Sequence, residues 1–314
     1  MEPLSAIDPN AVPLPDLAVA IARTGLVRRL LELARDEDLG VPPRDPTGEL
    51  IFERSDRRRV RLAARSAGVA AGLAFVPEVV SVFAESGEPI GFTATAHDGA
   101  AIRPGDTLAE LEGSARALVR IERTMLNLTA RLSGVATRTG LFVRAVEGTG
   151  ARICDTRKTT PGMRLLEKYA VRCGGGVCHR MGLHDAVLIK DNHIAGLSAS
   201  ELSETLARVA TRAKGHGGVL RFVQVEVDTM DQLDHVLGLP AGLIDMVLLD
   251  NMGCDLLAEA VRRRDERCPR LITEASGGVT LDTVRAIAET GVDRVSVGGL
   301  THQAVSLDLG LDAV

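Results

Sequence analysis

The chain of 314 residues is long enough for one large domain or two ordinary ones with an ample core. Its 45% apolar and 25% charged content is that of a soluble globular protein. A net charge of −5 and 2% aromatics, with no Trp and one Tyr, argue against the basic, aromatic-studded surface of a nucleic-acid binder.

Five cysteines, an odd count without a C-x-x-C pair, read as reduced thiols in a cytosolic protein. Cys173, Cys178 and His179 lie close together, but no second ligand pair follows at zinc spacing. The opening MEPLSAIDPNAVPLPD has no basic n-region, and the longest apolar-and-Gly run, near Ala67 to Val76, is too short to span a bilayer as a helix. A cytoplasmic protein with neither membrane nor nucleic-acid partner is the expectation.

Residues 1–16 are Pro-rich and read as an extended arm, and Leu17 to Arg35 reads as a helix. VPPRDPTGE (41–49) is a loop by its Pro and Gly content. Strands are expected at Arg59 to Ala64 and Val69 to Val76, with the Arg run at 57–61 on the wet face of the first. Pro77 opens a short helix, EVVSVFAE, that Gly87 would end. Further strands near 90–96 and 107–111 flank the turn-rich HDGAAIRPGD, giving an α+β unit up to about residue 120. Ser114 then caps a long helix or helix pair whose apolar stripe is Leu118, Ile121, Met125, Leu128 and Leu132. Arg123 lies off that stripe, on a different face.

From residue 151 the pattern changes to strict alternation of strand and helix. Strand candidates are ARIC, AVLI (186–189), RFVQVEV (221–227), DMVLLD (245–250), RLITEA (270–275) and DRVSVG (293–298). Helices fill the intervals, for example 198–214, 229–237, 254–264 and 280–290. Repeated βα units make a parallel sheet, either an incomplete barrel or a doubly wound sheet.

In such folds ligands meet the C-terminal strand ends. These ends read Asp155-Thr156-Arg157-Lys158, Lys190-Asp191-Asn192-His193, Glu226, Asp250-Asn251, Ser276-Gly277-Gly278 and Gly298-Gly299. The two glycine pairs come late and precede helices, as in a phosphate site built from backbone N–H groups. Glu226 and Asp250 aim carboxylates at the same mouth. They could hold a divalent cation, meet a sugar hydroxyl, or pair with Lys158 or Lys190. The cations concentrate between Ala151 and His193, where eight Lys and Arg face four acidic residues in an otherwise acidic protein. Arg157-Lys158 and His179-Arg180 are adjacent pairs at apparent loop positions, which points to a pocket for a small anion. The GGG at 174–176 reads as a flexible loop presenting His179 and Arg180.

The run DTRKTTPGMRLLEKYAVRCGGGVCHRMGLHDAVLIKDNHI resembles the signature region of the quinolinate phosphoribosyltransferases. ERTMLNLTARLSGVATRT, VEVDTMDQL, VLLDNM and EASGGVTLDTV agree in the same order, so the resemblance covers about 25 to 302. It implies an α/β fold: an N-terminal α/β sandwich joined to an incomplete, six- or seven-stranded α/β barrel. The implied divisions are an arm and helix over 1–25, the sandwich over 26–131, the barrel over 132–302, and a tail over 303–314 that returns to the first domain. The implied reaction joins quinolinate to 5-phosphoribosyl 1-pyrophosphate with magnesium, giving nicotinate mononucleotide, pyrophosphate and carbon dioxide in NAD biosynthesis. The resemblance assigns the quinolinate carboxylates to Arg157, His179, Arg180 and Lys190. It brings Arg123 in from the neighbouring subunit of a homodimer or larger assembly. Thr156, Lys158, Glu226, Asp250, Ser276, Gly277, Gly278, Gly298 and Gly299 fall to the phosphoribosyl and pyrophosphate groups. Lys158, Glu226 and Asp250 carry the chemistry, and Glu226 and Asp250 meet the metal. Cys178 departs from the pattern, since Asn is frequent just before the His-Arg pair. A molybdenum-transport-associated relative shares the fold but tends to lack the lysine at Lys190, and a phosphosugar-binding regulatory barrel is the non-catalytic alternative.

Overall fold

The computed structural model describes residues 7–84, 88–216 and 220–314. Residues 1–6 of the arm, and Gly87 at the expected end of the EVVSVFAE helix, lie outside these residues. The single helix expected over 17–35 is two, α1 (Leu14–Arg23) and α2 (Leu26–Leu39). The Thr24 hydroxyl donates to the Ile21 carbonyl at 2.7 Å, and Gly25 follows at φ 71°. That left-handed residue turns the chain before α2 can start. The loop at 41–49 contains a short helix, α3 (Pro46–Ile51), because Asp45 caps the Gly48 N–H at 3.0 Å and Pro46 follows in the first turn.

Strand β1 (Arg57–Ala64) carries its Arg run on the wet face, where Arg59 pairs with Glu110 and Arg61 with Asp312. The strand expected over 69–76 shrinks to β2 (Gly68–Val69). Asp98 accepts the N–H groups of Leu73 and Ala74 at 2.9 and 3.1 Å, which favours a tight 3-10 turn leading into α4 (Val76–Phe83). β3 (Ile90–Ala94), β4 (Ala101–Ile102) and β5 (Thr107–Ser114) complete the first half, β4 pairing with β2. Ser114 caps a single 31-residue helix, α5 (Ala115–Ala145), about 46 Å long. Its apolar stripe is buried against both halves of the molecule.

The second half follows as β6 (Arg152–Cys154), α6 (Arg164–Cys173), β7 (Val187–Ile189), α7 (Asp191–Ile194), α8 (Ala199–Lys214), β8 (Val223–Val227), α9 (Met230–Leu237), β9 (Met246–Asp250), α10 (Cys254–Arg267), β10 (Ile272–Ser276), α11 (Val284–Glu289), β11 (Arg294–Ser296) and α12 (Gly299–His302). The six strands form a parallel sheet in the order β6-β11-β10-β9-β8-β7, the six-stranded form of an incomplete α/β barrel. Strands β8 and β9 are buried almost throughout, as expected for a parallel sheet under helices. The edge strands β6 and β7 flank an open seam. Val177 forms a parallel bridge to Cys154, and the chain then crosses from β6 to β7. The last strand, β12 (Leu309–Ala313), leaves the barrel and pairs antiparallel with β1, giving the first sheet the order β12-β1-β5-β3. Among the described residues no helix is long and apolar enough to cross a membrane.

Candidate active site

A cavity of about 580 Å³ opens at the C-terminal ends of the six parallel strands. Thr156, Lys190, Glu226, Asp250, Ser276 and Gly298, one from each strand end, all line it. Strand side chains alternate faces, so residues two positions earlier form the layer beneath. Leu188, Leu248, Glu274 and Ser296 occupy that layer and form the cavity floor.

One wall is cationic. Arg157, His179, Arg180 and Lys190 converge there from β6, the seam-crossing segment and β7. Arg180 is only 6% exposed, and among the described residues its guanidinium makes one hydrogen bond, to the Ala186 carbonyl at 3.5 Å. The Nε atoms of Arg157 and Arg180 are both buried without a partner. Burial, and then the neighbouring Arg157, lower the Arg180 pKa. Two adjacent guanidinium groups held this way are costly unless an anion meets them.

His179 is fixed on every side. The Arg180 N–H donates to its Nδ1 at 2.7 Å, which assigns the ring proton to Nε2. Nε2 then donates to Gln224 Oε1 at 2.7 Å and lies 3.5 Å from Glu274. Burial lowers the His179 pKa below its ordinary 6.5, with Glu274 opposing, so the ring is neutral at pH 7. In this arrangement His179 orients the wall, and the positive charge comes from the Arg and Lys side chains.

The backbone beneath is equally fixed. Asp155 accepts Lys168 Nζ in a fully buried ion pair and takes the His179 N–H at 2.9 Å. Glu167 accepts Arg131 and both the N–H and hydroxyl of Thr160, anchoring the turn after Arg157-Lys158 to α5. Gly174 and Gly176 are packed against their neighbours while Gly175 between them is exposed, so the loop is held at both of its ends. A Cβ on Gly174 would lie 2.4 Å from the Ala136 carbonyl, and one on Gly176 2.8 Å from Thr139. Glycine serves here to bring the loop against α5.

The opposite wall joins carboxylates to glycines. Lys190 pairs with Glu226 at 2.7 Å, so the ion-pair alternative is realised within the cavity. Asp250 accepts the Asn251 side-chain amide at 2.7 Å. Asn251 has φ 53° and donates its N–H to the Ser276 carbonyl at 2.9 Å. Gly277 sits against it at φ 102°, where a Cβ would fall 2.1 Å from Asn251 Oδ1. Lys158 reaches the same wall, since a Cβ on Gly298 would meet its Cδ at 2.8 Å. The helix expected from 280 begins at Val284, because Thr280 and Thr283 close a turn first. Loop residues 276–279 therefore form the wall in place of a helix's first turn.

Glu226 and Asp250 suit a hard cation that keeps phosphate and water among its ligands. Among the described residues no group of three or more His, Cys, Asp or Glu forms a cage of its own.

Two expected residues lie outside the cavity lining. Gly299 starts α12 behind Gly298, and Arg123 is exposed on α5 beside a separate depression of about 450 Å³ lined by α2 and α5. The residues missed by sequence reasoning are Glu274, Ser296 and Gln224, each two positions before a strand-end residue of the cavity, which was the available signal; Asn251 was named only as part of a strand end, without a role.

Comparison with known proteins shows the family. Residues 45–133 match the family description "Quinolinate phosphoribosyl transferase, N-terminal domain", and residues 135–312 match its "C-terminal domain" counterpart. A "Probable nicotinate-nucleotide pyrophosphorylase [carboxylating]" of Bacillus subtilis is 39% identical over 287 residues, 91% of this chain and 93% of the relative. A "Nicotinate-nucleotide pyrophosphorylase [carboxylating]" of Mycobacterium leprae is 46% identical over 68% of this chain and 72% of its own. The solved nicotinate-nucleotide pyrophosphorylase of Francisella tularensis superposes with a TM-score of 0.80 at 32% identity, covering 98% of this chain and 99% of its own. With both halves matched and the cavity lying where the second half's parallel strands end, the chain belongs to the quinolinate phosphoribosyltransferase family.

Proposed function

We propose that this enzyme transfers the phosphoribosyl group of 5-phosphoribosyl 1-pyrophosphate to the ring nitrogen of quinolinate and releases pyrophosphate and carbon dioxide, forming nicotinate mononucleotide for NAD biosynthesis. The observation that carries the reading is the adjacent pair Arg157, half-buried, and Arg180, buried, each with a buried and unbonded Nε, facing a wall of carboxylates and glycines across one cavity. Quinolinate is a flat dianion, and its two carboxylates need fixed, planar donors. Arg supplies these as a fork.

Arg157, Arg180 and Lys190 grip the carboxylates, with His179 holding Arg180 in register. The ring nitrogen then attacks C1 of the ribose as the C1–O bond to pyrophosphate breaks. Lys158 neutralises the leaving group, and Glu226 and Asp250 favour the positive sugar of the transition state. Glu226 and Asp250 would also hold magnesium, which would supply further charge neutralisation to the phosphate oxygens. The alkylated ring nitrogen is cationic and stabilises the electron pair left at C2 as the adjacent carboxylate departs. Protonation of C2 completes the product. Thr156, Ser276, Gly277, Gly278, Gly298 and Gly299 serve the sugar phosphate and pyrophosphate.

Arg123 completes the site from the neighbouring subunit of a homodimer. Its exposure on α5, beside the depression against α2, supports this assignment. A cytoplasmic location accords with five cysteines free of disulfides. Incubation with quinolinate, 5-phosphoribosyl 1-pyrophosphate and magnesium is expected to release carbon dioxide, and nicotinate in place of quinolinate to give no product. Equal turnover of nicotinate would overturn the two-carboxylate requirement. Dimers mixed from Arg123→Ala and Lys190→Ala subunits are expected to regain activity that each homodimer lacks. No recovery in the mixed species would overturn the shared site.

A further inference from the structure

Past the Val177 bridge to β6, the segment that carries His179 and Arg180 has no strand beside it among the described residues. Its backbone polar groups find partners one by one. Val177 bonds to Ile153, the His179 N–H to Asp155, the His179 carbonyl to Arg221 at 3.0 Å, and the N–H groups of Met181 and Gly182 to Asp185. Cys178, immediately before the His-Arg pair, takes both partners from the amino-terminal arm. Its N–H donates to Asn10 Oδ1 at 2.7 Å, and its carbonyl accepts Asn10 Nδ2 at 2.8 Å. One side-chain amide thus makes the paired bonds that a residue of an adjacent antiparallel strand would make with its own N–H and carbonyl.

The arm is itself fastened. Arg172 of α6 donates to the Pro9 carbonyl at 2.9 Å and to that of Val12 at 3.4 Å. Arg221, which holds the His179 carbonyl, also bonds to Asp185 at 2.8 Å and reaches Asp8 at 3.4 Å. Asp8 in turn accepts the Asn10 N–H at 3.0 Å. These contacts close a ring from the arm, through Arg221, to the segment on both sides of His179.

We infer that the arm braces the open seam of the barrel and that Asn10 is a positioning residue for quinolinate, acting on Arg180 through the Cys178 backbone. The inference rests on the assignment of Arg180 to a quinolinate carboxylate. Bidentate recognition tolerates little displacement of the guanidinium, so a loosened Cys178 weakens the grip on the flat dianion and spares the phosphoribosyl wall.

The test measures Asn10→Ala for its quinolinate Kd, the KM of each substrate, thermal unfolding, and amide exchange over Cys178–Met181. The expected result is a quinolinate Kd and KM raised about tenfold, roughly the net effect of the two hydrogen bonds lost. The KM for 5-phosphoribosyl 1-pyrophosphate stays within about twofold, and amide exchange at 178–181 quickens. Asn10→Asp, which keeps the acceptor and loses the donor, falls between, and together with Asp8→Ala carries the comparison if Asn10→Ala does not fold. Quinolinate constants within about twofold of the parent protein's, or both substrates weakened alike, would overturn the brace. Failure of the parent protein itself to bind quinolinate would instead overturn the site assignment beneath it.

Discussion

Replacing Arg180 by Ala separates what the guanidinium does for the ligand from what it does for the fold. In the free protein Arg180 is a buried cation with an unpartnered Nε, one long bond to Ala186 and a second cation, Arg157, beside it. Removing it relieves desolvation and repulsion while losing the packing of its aliphatic stem. These effects oppose, so free-protein stability should change by no more than about 1 kcal/mol, or roughly 2–4 °C in Tm. With quinolinate bound, the same change strands a desolvated carboxylate at a cost of about 3–5 kcal/mol. At 1.36 kcal/mol per factor of ten, that is roughly a 150- to 5,000-fold loss in kcat/KM. Quinolinate at about 100 times its Kd stabilises the parent protein by about 2.7 kcal/mol, which a thermal-shift assay reads directly, and the variant should show no such gain. A loss below about tenfold in kcat/KM, or a retained quinolinate-induced rise in Tm, would remove Arg180 from the substrate wall.

Asp155→Asn strands Lys168, whose side chain is wholly buried, and should lower Tm by on the order of 10 °C; adding Lys168→Met should restore most of it, and a Tm within about 2 °C of the parent's would contradict the pairing. Gly277→Ala forces a Cβ onto Asn251 at φ 102°, so the KM for 5-phosphoribosyl 1-pyrophosphate should rise about tenfold or more while quinolinate binding holds; an unchanged value would mean that this wall does not meet the sugar phosphate. Burial holds the His179 pKa below its unfolded value near 6.5, so its contribution to stability is full above that pH. The contribution falls as pH drops towards the lowered folded value, by at most about 1.4 kcal/mol per unit. Urea unfolding between pH 7.5 and 5 should lose that component in His179→Gln, and identical slopes in the two proteins would refute it.

Much of the barrel was legible because the helical and strand periods separate cleanly after residue 151. Each βα unit there buries a nearly continuous apolar strand, and its polar end stands out against that run. The first half was harder to read. The break at Thr24-Gly25 and the turn over Leu73–Phe75 depend on side-chain hydrogen bonds, one from Thr24 and two to Asp98, that leave little mark on hydropathy. In the cavity, the upper ring of side chains was found from strand ends alone, whereas Glu274 and Ser296 hid inside ITEAS and RVS. A carboxylate in the middle of a buried strand is costly enough to have flagged Glu274. Arg123 was noticed for lying off an apolar stripe, and it lines a depression other than the cavity, in keeping with its proposed place in the site of a neighbouring subunit. The GGG loop misled for a different reason. Composition cannot separate glycines that loosen a chain from glycines that admit a neighbouring helix.

The pairing of β12 with β1 has a consequence for synthesis and for engineering. Arg65 and Asp312, hydrogen-bonded across these strands, are separated by 247 residues. On the ribosome, β1 must therefore wait with one edge bare until nearly everything after it has emerged, and an unpaired edge is a template for another chain. Its exposed arginines are a built-in deterrent to such mispairing. Excising residues 45–133 as an independent unit would leave that edge bare for good, whereas a circular permutant that places the 309–313 strand before β1 would satisfy it from the outset.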